Sequence, residues 1–423
     1  MKLFRCLMEK IFLTGITGLV GSAFVVALLR ERQDYEIVCL ARKTAVKSAQ
    51  QRTEEIIRDE CRFDGCPELA DRILKSVKVI EGDVTTINPE ELAKNPLLAG
   101  TTIIFHCAAD VNLGKDPTGR TYRINYNGTE NMVKLAQLLK VKEFHYVGTA
   151  YIAGKLVGTA FENMPIDNGF NNPYEESKFK AEMLVRNSGI PFTIYRPAII
   201  TGRRSDGRIR KPLAFYRILE FLGKLKSHYC TKHHIDHTGW ANLQINFATV
   251  PSEHVYFVPI DYVQEAIAAL FQQPVNNQAY HITGESPLST HQIENSICRV
   301  LRLDGTTVNG GPVAETMDNK LMARFLGDLF PYFSSDIVFD QSNVRKALGA
   351  MHKAKRAARS AQERCRAADI LQRTQHLAAR RGLIRVRAEL AASGGKVRWV
   401  RHYEVKLPGL ELIPAAADIA DDD

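Results

Sequence analysis

A tyrosine and a lysine stand four residues apart in the run NPYEESKFKAE, at Tyr174 and Lys178. Residues at this spacing share one face of a helix, so both side chains can address the same ligand. A free phenol has a pKa of about 10, and a neighbouring ammonium favours the phenolate, which makes the pair a usable general acid or base. The other charged residues of the run are expected on a solvated helix face: Glu175, Glu176, Lys180 and Glu182.

The position of this pair in the chain strengthens the catalytic interpretation. A YxxxK match alone occurs by chance in many chains, and the alternative is an aromatic and a cation that share a helix face. Here the pair follows the strand-like run EFHYVGTA, whose end presents Thr149. Both lie downstream of a glycine-rich turn that is typical of a dinucleotide site.

That turn is TGITGLVG, with Gly15, Gly18 and Gly21 between an apolar run and a helical pattern. The first glycine permits a tight turn, the second lets the backbone approach a pyrophosphate, and the third allows helix and strand to pack closely. The helix then offers free N–H groups to the phosphates. Thr17 and Leu19 belong to the same predicted cofactor-binding turn.

The second strand-like run ends in VCLARK, at Arg42 and Lys43. A site that prefers NAD usually offers a carboxylate to the adenosine ribose here, whereas a cation suits a 2′-phosphate. The sequence therefore predicts NADPH as cofactor. The alternative is that Arg42 is a solvated charge at a strand end.

Two further strand ends complete the predicted cofactor site. EGDV places Asp83, followed by Val84, where an acidic side chain could hydrogen-bond the adenine amine. HCAAD supplies the small residues Ala108 and Ala109, beside which a cofactor can pass.

These residues need a scaffold, and the hydrophobic pattern predicts one. Short apolar runs without alternation, such as KIFLTG, EIVCLAR and TTIIFHCAA, are separated by amphipathic segments. Buried parallel strands joined by helices have this pattern, so we expect an α/β fold with a Rossmann-type doubly wound parallel sheet. The expected domains are a NADP-binding domain at 1–202, a substrate-binding lobe with returning Rossmann elements at 203–349, and a basic tail at 350–423.

The tail differs in composition from the rest. It is rich in Ala and Arg, which favours a helical extension, and it carries about two thirds of the net charge of +9. Because the body is nearly neutral, nucleic-acid binding is not expected of it. The tail is interpreted as a solvated helix or partly disordered segment, with a shifted reading frame as an open alternative.

The sequence disfavours disulfide bonds, a membrane span and export. The eight cysteines are scattered, so reduced thiols are expected, and no apolar run reaches the roughly 18 residues that span a bilayer. The N-terminus lacks the pattern of a signal peptide, so a cytoplasmic location is predicted.

His233 and His237 lack a third metal ligand, so no metal site is expected. A lobe core is favoured over an acyl pocket for four aromatic residues: Phe215, Tyr216, Phe221 and Trp240.

Taken together, TGxxGxxG, the Thr after the fifth strand, YxxxK and RPAIITG resemble the extended short-chain dehydrogenase/reductase superfamily. VGTAYIAG, NPYEESKFKAE, YRPAIITG and VPIDYVQEAI resemble its thioester reductase and fatty acyl-CoA reductase branch, which includes the reductive release domains of peptide and polyketide synthases. The resemblance covers about residues 10 to 345 and leaves out the tail.

The resemblance implies roles for individual residues. Tyr174 would donate a proton, and Lys178 would hold the nicotinamide ribose and lower the Tyr174 pKa. Thr149 would hydrogen-bond the substrate oxygen, Asn125 would steady a proton-relay water, and Pro197 would line the nicotinamide pocket. The chain departs from the family's usual pattern at Gly148, Cys107 and Asp110.

The function that the resemblance implies is NADPH-dependent reduction of an acyl thioester, held on coenzyme A or on an acyl or peptidyl carrier protein. The product would be an aldehyde or, after a second hydride, an alcohol. The alternative enzyme is a relative that acts on a nucleotide sugar, sterol or other ketone. A sensor that only binds NADPH is disfavoured because Thr149, Tyr174 and Lys178 are all present.

Overall fold

The computed structural model describes residues 8–163, 165–213, 215–247, 249–308 and 316–349, and the backbone of two further segments at 385–393 and 396–404. Most of these residues fall into two compact units. The first contains the described chain up to Ile200, Tyr256–Pro287 and the residues from Ser335 to Gly349. The second contains Thr201–Val255 and Leu288–Ser334. The division at 202 and 349 that the sequence suggests stays a prediction.

The strands of these units are short and mostly buried. In chain order they are β1 (Glu9–Thr14), β2 (Tyr35–Ala41), β3 (Val77–Glu81), β4 (Thr101–His106), β5 (Glu143–Val147), β6 (Gly158–Ala160), β7 (Phe192–Pro197), β8 (Ile199–Thr201), β9 (Ala241–Phe247), β10 (His254–Val255), β11 (Phe257–Pro259), β12 (Gln278–Ile282), β13 (Leu288–Ser289), β14 (Leu303–Val308) and β15 (Ile337–Phe339).

Seven of these strands form one parallel sheet in the order β3-β2-β1-β4-β5-β7-β12. The chain passes from β3 at one edge back to β4 beside β1, so the strand order reverses between β1 and β4. Ligands of such sheets bind outside the carboxyl ends of the strands at this reversal. The predicted Rossmann-type sheet is confirmed.

Helices connect these strands. In chain order they are α1 (Leu19–Glu31), α2 (Ala49–Phe63), α3 (Ala70–Lys75), α4 (Pro89–Ala93), α5 (Arg120–Tyr122), α6 (Gly128–Leu139), α7 (Pro173–Arg186), α8 (Tyr216–His233), α9 (Ile260–Phe271), α10 (Thr290–Leu301) and α11 (Met317–Leu326). A π-helical turn, Arg123–Asn127, joins α5 to α6. Such turns are rare and are often found at functional sites.

Both faces of the large sheet are covered, as the unbroken apolar runs require. Phe144 and Tyr146 of β5 pack into a cluster with residues of α6 and α7. His145, which points to the opposite face, lies 4.5 Å from the ring of Phe271 in α9, measured between ring centroids. On that face Phe24 of α1 also contacts Phe271. Helices therefore lie on both sides of the sheet.

The second unit is built from α8, α10, α11 and the parallel pair β9 and β14. Phe215 and Tyr216 are buried in it, and the Tyr216 hydroxyl accepts a hydrogen bond from the Gly202 N–H at 2.8 Å. Trp240, by contrast, is half exposed. His233 ends α8 on the exposed surface, and the described part of the chain contains no group of three residues suited to hold a metal ion.

The predicted helical tail lies mostly outside the described residues. Where its backbone is described, Arg385–Ser393 (β16) pairs antiparallel with Lys396–Glu404 (β17). The helical extension of the tail stays a prediction. Among the described helices, none is both long enough and apolar enough to span a bilayer.

Candidate active site

The glycine-rich turn joins β1 to α1 at the reversal of the strand order. Gly15 has φ +85°, and a Cβ there would lie 2.6 Å from the carbonyl carbon of Cys107. A Cβ at Gly21 would lie 2.3 Å from the Gly15 oxygen. A side chain at either position would collide with backbone atoms, so glycine is what allows the turn to pack this closely against Cys107 and against the start of α1.

The rest of the turn matches this arrangement. Gly18 precedes α1 and its N–H donates to the Gly15 oxygen at 2.9 Å, but it offers no side chain to cap the helix. Leu19 is buried, and Thr17 is half-buried beside it. The start of α1 thus suits an anionic group such as a pyrophosphate.

The residues predicted for the adenosine end lie together at the carboxyl ends of β2 and β3. Arg42 donates to the Asp83 carboxylate at 3.2 Å, and Lys43 pairs with Glu81 at 3.0 Å. Arg42 remains more than half exposed. Val84 is buried, and its carbonyl accepts a hydrogen bond from Asn131 of α6.

The loop after β4 follows directly beside the glycine turn. The N–H groups of Cys107 and Ala108 donate to the Thr14 hydroxyl at 3.3 and 3.2 Å. Ala109 is exposed. Burial raises the pKa of the Cys107 thiol to about 12, so this cysteine stays protonated at neutral pH.

Tyr174 and Thr149 meet at the carboxyl ends of β5 and β7. Asn172 caps α7 by accepting the Glu175 N–H, which places Tyr174 in the first turn. Burial raises the pKa of Tyr174 to about 12, and a hydrogen bond with the Thr149 hydroxyl acts in the opposite direction. Thr149 also donates to the Pro197 carbonyl at 3.4 Å. Three of the predicted site residues are therefore in one place.

Lys178 lies one turn further along α7 and is 2% exposed. Its Nζ donates to the Val147 carbonyl at 2.7 Å and lies 4.3 Å from the centroid of the Tyr146 ring. Desolvation lowers the pKa of Lys178 to about 8. The resemblance implies that Lys178 lowers the Tyr174 pKa. Here the pKa of Tyr174 is raised, because burial has the largest effect on it and the Lys178 ammonium donates to the Val147 carbonyl.

Asn125 lies in the π-helical turn and is buried. Its side-chain oxygen accepts the Asp110 N–H at 2.8 Å, and its side-chain nitrogen donates to the Asp110 carbonyl and to Ser177 Oγ at 3.1 and 3.0 Å. The amide thus clamps the loop after β4 to α7. Ser177, which donates in turn to the Tyr174 carbonyl at 2.9 Å, was not predicted, although its place between Tyr174 and Lys178 was a usable signal.

Two charges of α7 were placed wrongly by the sequence. Glu176 and Lys180 form an exposed pair as expected, at 2.6 Å. Glu175 and Glu182, however, are fully buried. Helical periodicity puts Glu182 on the same inner face as Lys178. There its charge is neutralised by the buried Arg196, which donates two hydrogen bonds to it, of 3.0 and 2.6 Å.

The sequence profile of the male sterility protein family matches residues 13–267. The chain is 26% identical over 312 residues to the nonribosomal peptide synthetase FrzA of Cladobotryum sp, a match that covers 69% of this chain but 28% of that protein. This chain therefore spans less than a third of that synthetase's length.

Two solved structures share the fold. One is the terminal R domain of the myxalamid PKS-NRPS biosynthetic pathway, with a TM-score of 0.63 and 23% identity, covering 89% of this chain and 91% of that one. The other is a thiolation-reductase di-domain of an archaeal non-ribosomal peptide synthetase, with a TM-score of 0.63 and 20% identity, covering 88% and 75%. The family match covers more than half of the chain, so this protein belongs to the male sterility protein family, a NAD(P)-binding branch of the extended short-chain dehydrogenase/reductases.

Proposed function

We propose that this protein is an NADPH-dependent reductase of an acyl thioester carried on coenzyme A or on a carrier protein. The observation that supports it most is the meeting of Thr149, Tyr174 and Pro197 at the carboxyl edge of the sheet that also carries the glycine-rich turn. The names of relatives, a nonribosomal peptide synthetase and a thiolation-reductase di-domain, support a thioester substrate.

The cofactor would be held along the reversal of the strand order. The turn would take the pyrophosphate, through Gly15, Thr17, Gly18, Leu19 and Gly21. Arg42 and Lys43 would face the 2′-phosphate, while Asp83 and Val84 would face the adenine. Five residues would line the path to the nicotinamide: Ala108, Ala109, Tyr174, Lys178 and Pro197. When bound, NADPH supplies a hydride to the substrate carbonyl carbon.

The chain's own residues would handle the developing oxyanion and its proton. The Thr149 hydroxyl would hydrogen-bond the oxygen, which would stabilise charge that appears only in the transition state. The Tyr174 phenol, protonated at neutral pH, would give its proton to that oxygen. Lys178 would hold the ribose. Collapse of the resulting thiohemiacetal breaks its C–S bond and releases aldehyde and free thiol.

The deciding experiment is an NADPH-oxidation screen over acyl-CoA esters of several chain lengths, carrier-protein thioesters and simple ketones. A thioester reductase releases one thiol for each aldehyde formed, so thiol titration should match NADPH consumption in a two-electron reduction. A second hydride to alcohol would double the NADPH consumed per thiol. Turnover of ketones or nucleotide sugars without any thiol release would contradict the proposal.

Cofactor choice gives a separate prediction. Arg42→Ala is expected to raise the dissociation constant of NADPH roughly tenfold or more, because one charge-assisted hydrogen bond is worth about 1.5 to 3 kcal/mol. Binding of NADH should change little, since it has no 2′-phosphate. Lys78→Ala, an exposed cation on β3, is the matched control for a lost charge. Equal weakening of both cofactors by Arg42→Ala would rule out the 2′-phosphate assignment.

A further inference from the structure

A buried chain of hydrogen bonds runs beneath the candidate site from β1 to α6. Thr14 ends β1 and lies opposite His106, the last residue of β4. The Thr14 Oγ1 atom is 2.6 Å from His106 Nδ1, and His106 Nε2 is 3.0 Å from Thr129 Oγ1. All three side chains are fully buried. Their polar atoms depend on one another rather than on bulk water.

The donors in this chain have one consistent direction. Thr129 donates its hydroxyl hydrogen to the Asn125 carbonyl at 2.6 Å, so its oxygen is left to accept from His106 Nε2–H. His106 Nδ1 is then an acceptor and takes the Thr14 hydroxyl hydrogen. Burial lowers the pKa of His106 to about 3, and the charge of Lys178 adds to this effect. The imidazole is therefore neutral and fixed as the Nε2–H tautomer.

The two ends of the chain touch the two halves of the candidate site. At one end the Thr14 oxygen accepts the N–H groups of Cys107 and Ala108, the backbone against which Gly15 packs. At the other end Thr129 holds the carbonyl of Asn125. The Asn125 side chain continues through Ser177 to the carbonyl of Tyr174.

We propose that Thr14, His106 and Thr129 are positioning residues, which fix the position of Tyr174 relative to the glycine-rich turn. The assignment rests on the proposed function, because it concerns the reaction that Tyr174 serves. None of the three residues is expected to touch substrate. Each neutral group has its partner, and losing one leaves another buried polar atom unsatisfied, which displaces the groups around it.

The test is Thr129→Val, which keeps the shape of the side chain and removes the bridging hydroxyl. Its kcat is expected to fall about 10- to 100-fold, the cost of a small misplacement of reacting groups, while the KM for NADPH stays within about twofold. Thr129→Ser restores the hydroxyl and should recover most of the kcat. His106→Asn keeps an acceptor for the Thr14 hydroxyl but is too short to reach Thr129, so its kcat should fall in the same way. This variant replaces Thr129→Val in the test if Thr129→Val does not fold.

Thr53→Val is the matched control. Thr53 is also a buried helical threonine, and its hydroxyl donates to the carbonyl four residues earlier, Ala49, at 2.9 Å. Hydrogen exchange gives a readout that does not depend on turnover. Thr129→Val should speed exchange of amides in 106–110 and in the first turns of α7, whereas Thr53→Val should not.

The outcomes separate this inference from the proposed function. A wild-type protein that reduces ketones but no thioester contradicts the proposed substrate, and the kcat comparison is then made on the ketone. If the wild type turns over nothing, the exchange comparison decides. Unchanged kcat, or unchanged exchange in these two segments, in a folded Thr129→Val protein would overturn the positioning role.

Discussion

Replacing Tyr174 by phenylalanine is expected to lower kcat about 10²- to 10⁴-fold, the usual contribution of a positioned general acid. The variant loses one oxygen atom and keeps the ring that is packed in the first turn of α7. Binding of NADPH should therefore change by less than about twofold. Steady-state turnover and a direct binding titration of NADPH measure the two quantities separately.

The physical reason is the protonation state of the phenol. Burial raises the pKa of Tyr174 to about 12, so at neutral pH nearly every molecule carries the proton that reduction of a carbonyl requires. The phenol also hydrogen-bonds Thr149, the residue that the proposed mechanism makes the second donor to the substrate oxygen. Phenylalanine removes the proton and leaves the Thr149 hydroxyl as the remaining donor of the pair.

Tyr195→Phe is the control for this prediction. Tyr195 is also a fully buried tyrosine, and its hydroxyl lies 2.9 Å from His145 Nδ1 on the face of the sheet covered by α9. It should keep a kcat near that of wild type. Tyr174→Phe turnover within about threefold of wild type would remove Tyr174 from the catalytic assignment.

The sequence predicted best what depends on local pattern. The apolar runs became the strands of one parallel sheet, and the glycine turn lies between β1 and α1 as expected. Gly15 shows why: its positive φ and its close approach to Cys107 are requirements that one residue type meets. Features of this kind depend on a few residues that are neighbours in the sequence.

What the sequence could not predict depends on partners far along the chain. The spacing of Tyr174 and Lys178 gave no means of seeing that Val147 holds the ammonium. A sequence motif points to Asn125, but its hydrogen bonds to Asp110 depend on the π-helical turn, which shifts the helical register locally. The hydrogen-bond chain of Thr14, His106 and Thr129 could not be predicted, because these residues are separated by up to 115 positions in sequence. They meet only through the pairing of β1 with β4 and the packing of α6.

Glu182 is the clearest such case, and it carries the largest expected effect on stability. Its carboxylate accepts hydrogen bonds from Arg196 and, at 2.8 Å, from Arg186, and both Glu182 and Arg196 are almost wholly buried. Burial alone would raise the pKa of Glu182, but the guanidinium groups of Arg196 and Arg186 together outweigh it, so the pKa is below its usual value. The group is thus charged in the folded protein at neutral pH.

Glu182→Gln is expected to lower the free energy of unfolding by about 3 to 5 kcal/mol, because it leaves the Arg196 charge buried without its counter-charge. The control is Glu176→Gln on the same helix, which breaks an exposed pair with Lys180 and should cost less than about 1 kcal/mol. Denaturant unfolding of both variants measures the difference. Equal losses would mean that the buried pair contributes no more than the surface one, and that Arg196 is stabilised chiefly by its contact with His281 at 3.0 Å.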